Sequence, residues 1–330
     1  MIAVLRPSPR LAPASAGLAL LLSGAPSTHA QTAAEVTFAS GDLTLAATIT
    51  LPDGAGPFPA AVLVHGSGPS GRSNPWTSAW EEALVARGIA VLHPDKRGSG
   101  ESEGDWRSAS LLDLADDAAA AAAALRAHPG VDPTNVGLIG FSQGGHVVPV
   151  AATEDPDVAF AVSVSGSVVP MYEQIGDEVL LSGERDGLTA EELARVAGIH
   201  EASLRYIRTG EGWEAYATAL RDAKGSGLAG RDVVERFPVD PDDTVWAHVR
   251  ALGDLDPMEY WKRPEIPVLF AYGGRDERLR VSKSTARIQA ELDPAGTNYV
   301  LLVFGPNGHG HVRDDQLDLI ARWIRDRGVK

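Results

Sequence analysis

The chain has 330 residues, 44% of them hydrophobic, enough to bury a full core either as one large α/β domain with an insertion or as two domains, and a disordered chain is excluded. Its 29 basic residues are outnumbered by 44 acidic ones, a net charge of −15, which argues against nucleic acid as a partner. With no cysteine, disulfides, thiolate metal sites and a cysteine nucleophile are all excluded.

Arg6 and Arg10 precede the apolar stretch LAPASAGLALLLSGAP, and THA supplies small residues before a cut after Ala30. Residues 1–30 are therefore predicted to be a cleaved signal peptide, and the mature protein to be secreted or periplasmic. Pro13, Ser15, Gly17 and Ser23 interrupt the stretch, which is too short to span a bilayer comfortably, so no stable membrane insertion is expected after cleavage. Cleavage removes two arginines and no acid, leaving the mature chain more acidic still.

From Glu35 to Leu51 apolar and polar residues alternate around a Gly-Asp turn, which predicts an antiparallel hairpin. AAVLVHGSG is a continuous apolar run ending in glycine, the pattern of a strand buried on both faces, and a helix is predicted over about Trp76 to Arg87. IAVLHPD repeats the strand pattern, KRGSGESEG reads as loop, and Leu111 to His128 as an alanine-rich helix ended by Pro129 and Gly130. NVGLIGFSQGG then reads as strand, sharp turn and helix, and VAFAVSVSG as another buried strand.

Between residues 170 and 264 the rhythm stops and the sequence turns helical, charged and aromatic, with Tyr172, Tyr206, Trp213, Tyr216, Trp246, Tyr260 and Trp261. PVLFAYGGRD resumes the buried-strand pattern, STARIQAEL reads as helix, NYVLLVFGPNGHG as the last strand with its loop, and Gln316 to Arg327 as a closing helix. Strands alternating with helices in this order predict a mostly parallel, doubly wound α/β sheet with an N-terminal antiparallel hairpin. The core is assigned to residues 31–169 and 265–330, with 170–264 as a helical cap insertion whose aromatic residues either line an acyl pocket or form the cap's own core.

In open α/β sheets reactive groups collect beyond the carboxyl ends of the strands, and four ends here carry suitable residues. Ser142 follows its strand directly, with Gly140 and Gly144 on either side where a tight strand-to-helix turn needs room. Asp276 follows another strand in GGRDE, and His309 follows the last one in GPNGHGH. A hydroxyl needs a base to take its proton, and the base needs an anion to fix its tautomer, so Ser142, His309 and Asp276 supply the three roles of a nucleophilic triad. The fourth end is HGSGP, whose loop can turn the Ser67 N–H toward the site beside that of Gln143, giving two donors for an oxyanion. His309 is preferred to His311 as base because it lies nearer the strand end between Gly308 and Gly310.

With these motifs the mature sequence resembles the α/β-hydrolase superfamily: HGSGP is similar to its oxyanion loop, DKRGSGES to the loop after the next strand, and GFSQGG to its nucleophile elbow. Within it the chain is most similar to secreted or periplasmic serine esterases with a helical cap. The resemblance implies Ser142 as nucleophile, His309 as base, Asp276 as acid, Ser67 and Gln143 as oxyanion donors, a small-molecule ester as substrate, and no cofactor. A serine peptidase or amidase with the same triad, and a binding protein on the same fold without turnover, are the rival readings. His65, His93 and His146 are expected to be hydrogen-bonded structural groups, Asp95 and Arg97 to brace their loop, and the HGH sequence has no accompanying HExxH or carboxylate cluster to mark a metal site.

Overall fold

A computed structural model describes residues 32–326; the predicted signal peptide, residues 1–30, lies outside the described residues. The strands are β1 (Thr32–Ser40), β2 (Leu43–Leu51), β3 (Phe58–Val64), β4 (Ala90–Pro94), β5 (Val131–Phe141), β6 (Ala161–Val164), β7 (Val268–Gly273) and β8 (Tyr299–Phe304). They form one sheet in the order β1, β2, β4, β3, β5, β6, β7, β8. β2 runs antiparallel to both β1 and β4, and every other pairing is parallel. The predicted mostly parallel α/β sheet with an N-terminal hairpin is therefore what the chain builds.

The helices of the core are α1 (Pro75–Val85), α2 (Leu111–Arg126), α3 (Gly144–Glu154), α10 (Val281–Ala295) and α11 (Asp314–Arg325). Both faces of the central strands are apolar because both are covered. Val62, Val64 and Leu138 belong to one hydrophobic cluster with Leu114, Val147 and Ile288 of α2, α3 and α10. Ala61, Leu63 and Ile139, one residue out of phase, belong to a second with Leu84 of α1 and Ile320 and Ile324 of α11. Each fully buried Leu or Ile of these layers contributes about 1.5 to 3 kcal/mol through the apolar surface it withdraws from water.

The helix starts follow local chemistry. Asn74 caps α1 by accepting from Trp76 N at 3.0 Å, and Pro75, whose missing N–H costs nothing in the first turn, follows it. Ser110 and Asp113 close a reciprocal capping box on α2.

Between β6 and β7 the chain forms the helices α4 (Met171–Arg185), α5 (Ala190–Thr209), α6 (Trp213–Ala223), α7 (Asp232–Glu235), α8 (Thr244–Leu252) and α9 (Met258–Trp261). Tyr206, Trp213, Tyr216 and Trp246 stack on one another with ring centroids 5.1 to 6.2 Å apart. The Tyr216 hydroxyl donates to Pro238 O at 2.6 Å and the Trp246 indole to Asp240 O at 2.8 Å. These four rings pack on one another and join the apolar cluster that continues to the sheet, burying large faces with satisfied polar edges.

The order of the strands places the site. β3 has β4 on one side and β5 on the other, so successive crossovers leave it in opposite directions, and the loops after β3 and β5 open into one crevice.

Candidate active site

Ser142 sits between β5 and α3 with φ at 53°, a left-handed conformation that a non-glycine residue adopts only under strain. Its N–H donates to Val164 O at 3.0 Å and its carbonyl accepts from Gly145 N at 2.8 Å, which locks the turn. The flanking glycines are required by close approach. A Cβ on Gly140 would strike the backbone of Gly144, and one on Gly144 would strike Val64 O of the neighbouring strand. A Cβ on Gly66 would stand 3.4 Å from that of Ser142, so the loop after β3 lies directly against the serine.

Asp276 and His309 come together across the ends of β7 and β8. His309 Nδ1 lies 2.9 Å from both carboxylate oxygens of Asp276, whose side chain is fully buried while that of His309 is 10% exposed. A carboxylate only accepts, so Nδ1 carries the proton in this bond and Nε2 of the neutral ring is left with its lone pair. Asp276 Oδ1 also accepts from Arg278 N at 2.9 Å and Leu279 N at 3.2 Å, which fixes the carboxylate. The glycines before it act through their size: a Cβ on Gly273 or Gly274 would collide with the backbone of the histidine loop at Gly308 or Gly305.

The histidine loop is anchored at three atoms. Glu277 Oε2 accepts from His309 N at 3.0 Å, Ser165 Oγ accepts from Gly310 N at 2.9 Å, and the Trp76 indole donates to Gly310 O at 3.2 Å. Gly310 has φ at 66°, and any Cβ there would overlap the Trp76 ring. His311 lies exposed beyond this anchor, with its carbonyl accepting from Asn307 Nδ2 at 2.7 Å, and makes no contact with Asp276.

Ser67, Ser142 and His309 line one cavity of about 690 Å³, together with Trp76 and Trp80 of α1 and Glu178, Glu277, Arg278 and His311 at its rim. The aromatic wall thus comes from α1, and Glu178 of α4 is the residue that the insertion contributes. Gln143 is buried beside Ser142, and its backbone N–H opens the N-terminal turn of α3.

The charged loop after β4 packs behind the site. Asp95 accepts from Arg72 N at 2.9 Å, Arg72 Nη2 at 2.8 Å and Glu101 N at 2.9 Å, while Arg97 holds Asp117 of α2 through two bonds of 2.6 and 2.8 Å. Burial opposes the Asp95 charge, but Arg72 and the two backbone donors hold its carboxyl below the usual range. His65 is structural: its Nε2 donates to Pro94 O at 2.6 Å and its Nδ1 accepts from Ser70 Oγ at 3.0 Å. Burial lowers its pKa to about 3, so the ring stays neutral. His146 is likewise lowered to about 4 by burial, and His93 bridges Glu81 and Thr77 at 2.7 and 2.9 Å.

Sequence reasoning missed Trp76, Ser165, Glu277 and Lys96. Only Ser165 carried a local signal: its strand-end segment SVSG parallels the serine-glycine ending of HGSG, and among the described residues it shares a positive φ, at 49°, with Ser142.

The chain is 26% identical over 302 residues to esterase EstD of Thermotoga maritima, a match covering 84% of this chain and 64% of that one. It thus spans under two thirds of the length of this curated relative. Among solved structures, an esterase from Pyrococcus furiosus superposes with a TM-score of 0.58 at 16% identity over 90% of each chain. Acetyl xylan esterase 1 from a Thermoanaerobacterium species gives 0.56 at 19% identity over 93% of this chain and 86% of that one. These likenesses establish the α/β-hydrolase fold. Residues 40–311 match the family model described as X-Pro dipeptidyl-peptidase (S15 family), and the chain belongs to that family.

Proposed function

We propose that this protein is a serine hydrolase of carboxylic esters. The observation that carries the reading is the His309 Nδ1 to Asp276 bond of 2.9 Å at the wall of a cavity that a left-handed Ser142 also lines. Ser142 Oγ attacks the substrate carbonyl while His309 Nε2 takes its proton, and Asp276 stabilises the imidazolium that results. The backbone N–H groups of Ser67 and Gln143 receive the oxyanion. Collapse expels the alcohol, which leaves with the proton held by His309. Water then attacks the acyl-serine, gives one proton to His309, and the carboxylic acid departs as Ser142 recovers its hydrogen. The insertion acts as a cap whose Glu178 reaches the cavity rim.

The name of EstD supports ester cleavage, whereas the family description favours a second reading, cleavage of peptide bonds by the same triad. Turnover of p-nitrophenyl acetate and butyrate, set against Xaa-Pro p-nitroanilides, separates the two. Ser142→Ala is expected to lower kcat about 10⁴- to 10⁶-fold and to abolish labelling by a fluorophosphonate. Wild-type protein that neither turns over any of these substrates nor takes the label would instead be a binding protein on a hydrolase fold.

A further inference from the structure

Lys96 stands at the end of β4, between Asp95 and Arg97, and its ammonium is turned inward. It is 8% exposed and forms no ion pair with a carboxylate among the described residues. Instead it donates to Gly66 O at 2.9 Å, Gly68 O at 3.2 Å and the Gln143 side-chain Oε1 at 3.0 Å. Three donors meet three acceptors, and all three acceptors belong to the two segments that carry the oxyanion donors.

Gly66 O and Ser67 N–H belong to the same peptide unit. In a trans peptide the carbonyl and the N–H point in opposite directions, so a cation that grips Gly66 O from behind aims the Ser67 N–H away from itself. Ser67 lines the cavity that Ser142 and His309 also line. The charge also polarises this peptide and makes its N–H a stronger donor. The third bond ties the same nitrogen to the side chain of Gln143, the residue that supplies the other donor. A buried cation without a counter-ion is costly, and a protein tolerates one where its bonds fix a geometry that matters.

We propose that Lys96 is a positioning residue of the oxyanion hole, a single protonated amine that orients the loop after β3 and the nucleophile elbow against each other. The inference rests on the serine-hydrolase reading above. It implies a pH dependence, because burial lowers the Lys96 pKa to about 8. The charged groups around it do not replace its charge: Asp117 attracts it but is bonded to Arg97, Asp95 is bonded to Arg72, and His65 is neutral. As the pH rises through about 8 the amine loses a proton and keeps two donors for three acceptors, so one strap of the hole is released.

The test compares full-length wild type and Lys96→Met on a p-nitrophenyl ester between pH 6 and 10. The expected result is a kcat roughly 10- to 100-fold lower in the variant with KM changed less than about threefold, since the lost interaction acts on the transition state. Wild-type kcat should also decline on the alkaline side, and the variant should lack that limb. A folded variant with kcat within about threefold of wild type overturns the proposal. Should Lys96→Met fail to fold, the wild-type profile decides, and a kcat that stays flat from pH 7 to 10 overturns it. Wild type without turnover or fluorophosphonate labelling refutes the serine-hydrolase reading and this inference together, whereas an active wild type with an unaffected variant refutes only the role of Lys96.

Discussion

The sheet core and the helical insertion hold together by different means. In the core, β3 is buried on both sides by two separate apolar clusters. The insertion shares one of those clusters, with Trp261 edge-on against Phe270 of β7 at 5.0 Å, but toward the acid loop and the start of α10 it is held by ion pairs: Arg278 with Glu178, Arg280 with Glu184, and Lys283 with Asp177, at 2.6 to 2.9 Å. Burial fixes positions to fractions of an ångström, whereas exposed ion pairs are weak and screened by salt. The contrast teaches that Ser142, Asp276 and His309 stand on the part fixed by burial, and that the side of the insertion nearest them, at Glu178, is attached by bonds that give way more easily.

That contrast can be broken most sharply at the histidine loop, which belongs wholly to the core. His309→Ala is expected to cost about 10⁴-fold in kcat, while His311→Ala, which removes an exposed ring without a carboxylate, should stay within about tenfold. Steady-state kinetics on one ester decides, and the reverse ranking would move the base to His311. An intermediate effect is expected inside the insertion. Trp246→Ala removes the ring at the centre of the aromatic cluster and should destabilise this segment by about 3 to 5 kcal/mol. Limited proteolysis should then cut between residues 170 and 264 while the sheet survives, and uniform digestion of the whole chain would mean that the two parts unfold as one. The smallest effect is expected at their junction. Arg280→Ala should cost under about 1 kcal/mol in a thermal melt, and the wild-type difference should shrink further in 1 M salt.

The same division explains what could be read from the sequence. Strands buried on both faces leave unbroken apolar runs, and each run ends in the loop that carries Ser142, Asp276, His309 or Ser67, so those positions were legible. The aromatic residues of the insertion were not, because spacing along a helix does not tell which neighbour a face meets. Lys96 was hidden in a run of charges that reads as solvated loop, although its side chain turns inward. Trp76 lies 234 residues from the glycine it bonds, and nothing local to a helix start announces such a contact.

The Trp76 indole braces the backbone beside His309 and at the same time walls the cavity. Capacity and turnover are thereby mechanically tied through one ring. Trimming Trp76 to widen the cavity would loosen the His309 imidazole with the same stroke, whereas Trp80, 3% exposed and edge-on against Phe141 at 5.2 Å, ties the same space to the residue before Ser142. A lineage or an engineer widening this wall would therefore disturb one of the two loops whichever tryptophan is changed.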